Sequence, residues 1–164
     1  MVKIFLSKGE KSLISELLLN ALNTEYGLSL TDTDIKIDDN GKLCVKNCPF
    51  KFSASHSKDN LAVAISEKNV GIDIEVVKTD FNPRPIFGVT PANAEDCAVL
   101  WTKAESLVKL YSNDKLDLRK ICLNDAPTHN GVNLDANLYT FINDNVAITV
   151  ATTDDGYQVF NKEI

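Results

Sequence analysis

Apolar positions in this chain follow two patterns, helical spacing and strict alternation, and both occur in each half of the sequence. Leu13, Ile14, Leu17, Leu18, Ala21 and Leu22 recur at three- and four-residue intervals after a Ser7–Glu10 capping box and before Gly27, which predicts an amphipathic helix. Asp38-Asp39-Asn40-Gly41 has turn chemistry, and short strands are expected at Leu43–Val45, Phe52–Ser55, Leu61–Ser66 and Val70–Val77. The stretch from Lys78 to Val89, with Pro83 and Pro85, reads as a linker. Thr90 as N-cap with Pro91 at the first helical position opens a second helix, with Glu95 and Asp96 at its positive end and Tyr111 near its close. Strands at Ile121–Leu123, Leu138–Ile142, Val146–Ala151 and Tyr157–Phe160 complete a helix-then-strands order like that of the first half, without a sequence-level repeat.

A length of 164 residues suits one domain with a real core, or two small halves that share one. The net charge of −6 argues against nucleic acid as a partner. No window approaches a membrane span, and the apolar run within Met1–Lys8 is too short for a signal peptide, so the expected location is the cytoplasm. Cys44, Cys48, Cys97 and Cys122 form no CxxC pair, and only His56 and His129 could join them, which argues for reduced thiols rather than a structural zinc.

Three places carry candidate chemistry. In Val70-Gly71-Ile72-Asp73-Ile74-Glu75, alternation sends Ile72, Ile74 and Val76 to a core and Gly71, Asp73 and Glu75 outward. Two carboxylates so spaced can share a hard cation, with Gly71 leaving room for a ligand's phosphates; the same alternation also marks any strand with one wet face. On the second helix Cys97, Leu100, Trp101, Ala104, Leu107, Val108 and Tyr111 form an apolar stripe, with Glu105 and Lys109 together on its flank. As an ordinary surface pair those two contribute only about 0.2–0.5 kcal/mol. Ser55-His56-Ser57, followed by Lys58, is expected in a loop after a strand, where hydroxyls, an imidazole and an ammonium could meet an anion.

Order and spacing tie these places together. The Ser-His-Ser segment, the Gly-Ile-Asp-Ile-Glu strand, and the helix with Trp101, Glu105 and Lys109 at four-residue steps resemble the surfactin-type branch of the 4′-phosphopantetheinyl transferase superfamily. Ser12-Leu13-Ile14, Tyr26-Gly27 and Gly41-Lys42 are similar to that branch too, so the resemblance runs from about Lys11 to Lys109. It implies an α+β fold over a single domain, 1–164, in which two similar helix-plus-antiparallel-sheet halves, about 1–78 and 79–164, are related by a pseudo-twofold. The activity implied is magnesium-dependent transfer of 4′-phosphopantetheine from coenzyme A to a serine of an apo carrier protein, releasing 3′,5′-ADP. Asp73, Glu75 and Glu105 would hold the magnesium, Glu105 would also take the serine proton, and Lys109 would compensate phosphate charge or protonate the leaving group. Ser55 and His56 would contact the coenzyme A phosphates, Ser12 the 3′-phosphate, and Lys42 the nucleotide. The expected partners are coenzyme A and the carrier, the expected state a monomer. Removing any of the three carboxylates is expected to leave the metal-free protein as stable or more so.

Departures from the branch fall on nucleotide and carrier contacts. Ala104 stands where the family has Lys, with Lys103 one place earlier; Ser112-Asn113-Asp114 replaces glycines; the segment from Glu75 to Trp101 is short; and the basic segment expected ahead of the first helix is largely missing. Two other classes share the same residues: a coenzyme A or carrier-binding paralogue without turnover, and a magnesium-dependent phosphohydrolase.

Overall fold

The computed structural model describes residues 1–38, 42–78, 84–112 and 116–163. In chain order its elements are β1 (Val2–Lys8), α1 (Ile14–Tyr26), β2 (Ile35–Ile37), β3 (Leu43–Val45), β4 (Lys51–Ser57), β5 (Asn60–Ser66), β6 (Val70–Val76), α2 (Ala94–Leu110), β7 (Ile121–Cys122), β8 (Thr128–His129), β9 (Val132–Asn133), β10 (Asn137–Asn143), β11 (Val146–Thr152) and β12 (Tyr157–Asn161). The expected α+β class holds: two helices pack on sheets that are mostly antiparallel. One sheet has the order β12-β1-β5-β4, with β1 parallel to β12, and a second has the order β10-β11-β6. A β2-β3 hairpin and a small β7-β8-β9 sheet complete the described strands.

The two larger sheets enclose a core of Val2, Ile4 and Leu6 from β1, Ala62 and Ala64 from β5, Ile72 and Ile74 from β6, and Val146, Ile148 and Val150 from β11. The alternate residues of the first sheet, Phe5, Leu61, Val63 and Ile65, pack under Leu17, Leu18, Ala21 and Leu22 of α1. β1 is therefore buried on both faces. That is why Val2-Lys3-Ile4-Phe5-Leu6 reads as a short apolar run and not as an alternating strand. Ser7 belongs to β1, paired with Leu61, and is not a helix cap; a 3-10 turn at Lys11–Leu13 leads into α1 instead. α1 ends as expected at Gly27, whose φ of 67° lets its N–H reach Leu22 O.

The second helix starts later than Thr90 and Pro91 predict. Asn93 is the N-cap, accepting a bond from Asp96 N at 2.8 Å, while Asp96 accepts in return from Ala92 N at 3.1 Å. Of the expected linker, residues 79–83 lie outside the described part, as do 39–41 of the predicted turn. The rest of the linker contains a tight reversal in which Ile86 and Val89 exchange both backbone hydrogen bonds. No helix among the described residues is long and apolar enough to cross a membrane.

At the margin between the sheets, β4 and β6 run side by side without a backbone ladder among the described residues. Hydroxyls replace it. Ser53, Ser55 and Ser57 accept hydrogen bonds from the N–H groups of Ile72, Ile74 and Val76 at 3.1, 3.4 and 3.1 Å. This seam brings the Ser-His-Ser segment against the Gly-Ile-Asp-Ile-Glu strand.

Candidate functional site

β6 has no wet face at Gly71 and Asp73, contrary to the alternation argument, and of that face only Glu75 is partly exposed. Gly71 and Asp73 are buried beneath α2, and Asp73 is 7% exposed. Room left by the missing Gly71 side chain is filled by helix backbone and not by a ligand: a Cβ there would lie 2.0 Å from Ser106 O and 2.5 Å from Leu110 N. Both faces of the strand are covered because the inter-sheet core takes Ile72 and Ile74 while α2 crosses the other side.

The helix brings its two polar residues onto this covered face. Lys109 Nζ donates to Asp73 Oδ1 at 2.7 Å, to Ile72 O at 3.0 Å and to Ala54 O at 3.5 Å, filling the donor capacity of its ammonium in the seam. Ser55 donates to the same Asp73 oxygen at 2.8 Å. Glu75 accepts from Ser57 at 3.2 Å and pairs with the exposed Lys78 at 3.1 Å. Glu105, one turn before Lys109, is half-buried and has no hydrogen bond or ion pair among the described residues. Burial first, and then the negative charge of Asp73, push its carboxyl above the ordinary glutamate range, with Lys109 pulling the other way.

His56 lies within β4 and not in a loop; the chain reverses after it, between Ser57 and Asn60, with Lys58 at a φ of 53°. Its imidazole is exposed. Partial burial, followed by the charges of Lys11 and Lys109, holds its pKa below the usual histidine value, against the opposing pull of Asp73. The charges of Lys11 and Lys109 therefore both bear on His56, and Ser12 is exposed in the turn next to Lys11. Lys42 donates to Ser112 Oγ at 3.1 Å, one turn beyond Lys109, which places it at the carboxy-terminal end of α2.

The apolar stripe of α2 is right at its centre and wrong at one flank. Ala104 is fully buried with Leu107, Leu110, Ile121 and Ala151. Trp101, expected in the core, is instead 41% exposed, its ring 6.0 Å from that of Phe87. The site face of α2 is lined by small residues, Ala98, Thr102 and Ser106, which let the helix approach the sheet; Thr102 and Thr149 bond across that contact at 2.8 Å. Since Ala104 faces the core and not the polar site, restoring the family's lysine with Ala104→Lys buries an ammonium and overpacks the helix face. Urea denaturation is expected to show a loss of about 1–3 kcal/mol or more. A variant as stable as the parent would place position 104 at the polar site after all.

No three His, Cys, Asp or Glu side chains among the described residues converge as an assembled metal site. The donor set of Asp73, Glu75 and Glu105 nonetheless fits a hard divalent cation. It consists of carboxylates only, Glu105 has no partner, and Lys109 supplies the positive charge that Asp73 now holds. Sequence reasoning missed Ser53 as a neighbour of this site. The period-2 serines of Ser53-Ala54-Ser55-His56-Ser57 were the available signal for it.

No family model matches the chain. Over 76 residues it is 36% identical to the 4′-phosphopantetheinyl transferase psf-1 of Bacillus pumilus. The match takes in 45% of this chain and 33% of that protein, so the chain spans about a third of the length of the curated relative it matches.

Proposed function

We propose that this protein transfers 4′-phosphopantetheine from coenzyme A to a serine hydroxyl of an apo carrier protein, with Asp73, Glu75 and Glu105 holding a magnesium ion. The observation that carries the reading is the partnerless Glu105 carboxyl, held against the charge of Asp73 beside the Lys109 ammonium. Partial identity to a 4′-phosphopantetheinyl transferase supports the choice of substrates. We place the fold with that family's pseudo-twofold, since each larger sheet carries one long helix on its outer face, and place the protein in the cytoplasm as a monomer.

The serine oxygen attacks the phosphorus that bears pantetheine, the bond from that phosphorus to the bridging oxygen breaks, and 3′,5′-ADP leaves with the electron pair. When bound, the ion supplies neutralisation of the pyrophosphate charge. Glu105 accepts the serine proton. Lys109 lies where it can exchange Asp73 for a phosphate oxygen and protonate the departing nucleotide. Lys11, His56 and Ser12 face the 3′-phosphate, and Lys42 faces the nucleotide from the end of α2. Ser55, with its proton on Asp73, stands behind His56 in this group.

Incubation with coenzyme A, magnesium and an apo carrier, read by intact mass, tests the reading. A phosphopantetheine increment on the carrier is expected. Binding of coenzyme A without labelling would make the chain a binding paralogue, and nucleotide cleavage without labelling would make it a phosphohydrolase.

A further inference from the structure

The three serines of β4 are used alike on one side and differently on the other. Each Oγ accepts a β6 N–H, and with that lone pair engaged its proton is available in a fixed direction. Ser55 directs its proton to Asp73 Oδ1 at 2.8 Å and Ser57 directs its own to Glu75 Oε2 at 3.2 Å, in both cases across the same offset of 18 residues. At Ser53 that offset falls on Gly71, which has no carboxylate to receive a proton.

The geometry points to Ser55 and Ser57 as positioning residues that orient Asp73 and Glu75 toward a divalent cation, while Ser53 makes the same seam bond with no such role. This rests on the reading of the carboxylates as cation ligands given above. Each hydroxyl relays a backbone N–H to a carboxylate, so the strand that fixes the sheet margin also fixes the ligand rotamers. Partners of this kind commonly matter as much to a metal site as its direct ligands. Ser53 separates the two roles within one seam.

The test uses the full chain and its Ser53→Ala, Ser57→Ala and Ser57→Thr variants. Urea unfolding in chelator reads the seam, and calorimetric titration with magnesium or manganese reads the site. Both alanine variants leave one β6 N–H without its acceptor, so both are expected to lose metal-free stability to a similar extent. Only Ser57→Ala is expected to weaken cation binding, by about tenfold, with threonine restoring it. Ser55→Ala is expected to act likewise on Asp73, but it leaves a buried N–H and a buried carboxylate short of a partner, so the partly exposed Ser57 is the better probe. Unchanged affinity in Ser57→Ala, or an equal loss in Ser53→Ala, overturns the positioning role alone. A parent chain that takes up neither cation overturns it together with the reading beneath it.

Discussion

Glu105→Gln is expected to abolish transfer while making the metal-free protein more stable at neutral pH, a combination that no purely structural role for Glu105 produces. Its carboxyl lies above the ordinary glutamate range because burial and Asp73 both disfavour the anion. A carboxyl with a raised folded pKa contributes stability while it is protonated, and that contribution is lost as pH rises from its unfolded value, near 4.5, through the folded one. At pH 7 the ionised group therefore weighs against the metal-free fold, and glutamine removes the charge. Melting in chelator should show the variant above the parent at pH 7, with the gap closing toward pH 4. Magnesium should reverse the order, because only the parent gains the stabilisation that comes with a bound ligand. Loss of a general base costs roughly 10²–10⁴-fold in rate, so single-turnover labelling of a carrier should fall at least that far. Near-parental turnover at limiting magnesium would remove Glu105 from the site. Asp73→Asn differs: Lys109 and Ser55 both bond Asp73, so this variant is expected to destabilise the metal-free protein, where the sequence alone predicts no loss.

Gly71→Ala is expected to have the largest effect on stability. The added methyl meets Ser106 O at 2.0 Å and Leu110 N at 2.5 Å, both main-chain atoms of α2 that cannot rotate aside. The helix must lift from β6. That opens the buried contacts of Leu107 and Leu110 and moves Glu105 and Lys109 away from Asp73. A loss of about 3 kcal/mol or more is expected in urea unfolding, with loss of the magnesium-induced rise in melting temperature. A variant that melts with the parent would mean that α2 is seated farther from the strand.

What the sequence revealed and what it hid follow from burial. α1 was readable because only one of its faces is buried, and β3 because turn residues bound it. β6 and β11 were readable in position, but β6 was misread in exposure, since alternation reports polarity and Asp73 is polar yet covered. β1 was missed although β5 and β11, just as buried, were readable, because Lys3 interrupts its short apolar run. Trp101 was assigned to the core because helical spacing records that a residue is apolar and not how wide the buried face is. Lys109 meets Asp73 across two elements that the small residues of α2 allow to touch, while Glu75 turns to Ser57 and Lys78. Hydroxyls joining β4 to β6 were invisible for another reason: serine is common on exposed strands, and only the neighbouring edge gives these three a purpose.

The pairing of β1 with β12 sets an order of events for the growing chain. Val2 stands opposite Tyr157, so β1 waits for a partner strand that is synthesised much later. Until then β1 can pair with β5 on one side only. Its other edge, on a strand whose neighbours on both faces are apolar, is an open template for another chain. The final step is a parallel, long-range closure, the slowest kind of pairing for a chain to find. Nascent copies on one message are thus exposed to pairing with each other over the stretch of synthesis between β1 and β12, and the hazard ends only when Tyr157–Asn161 docks.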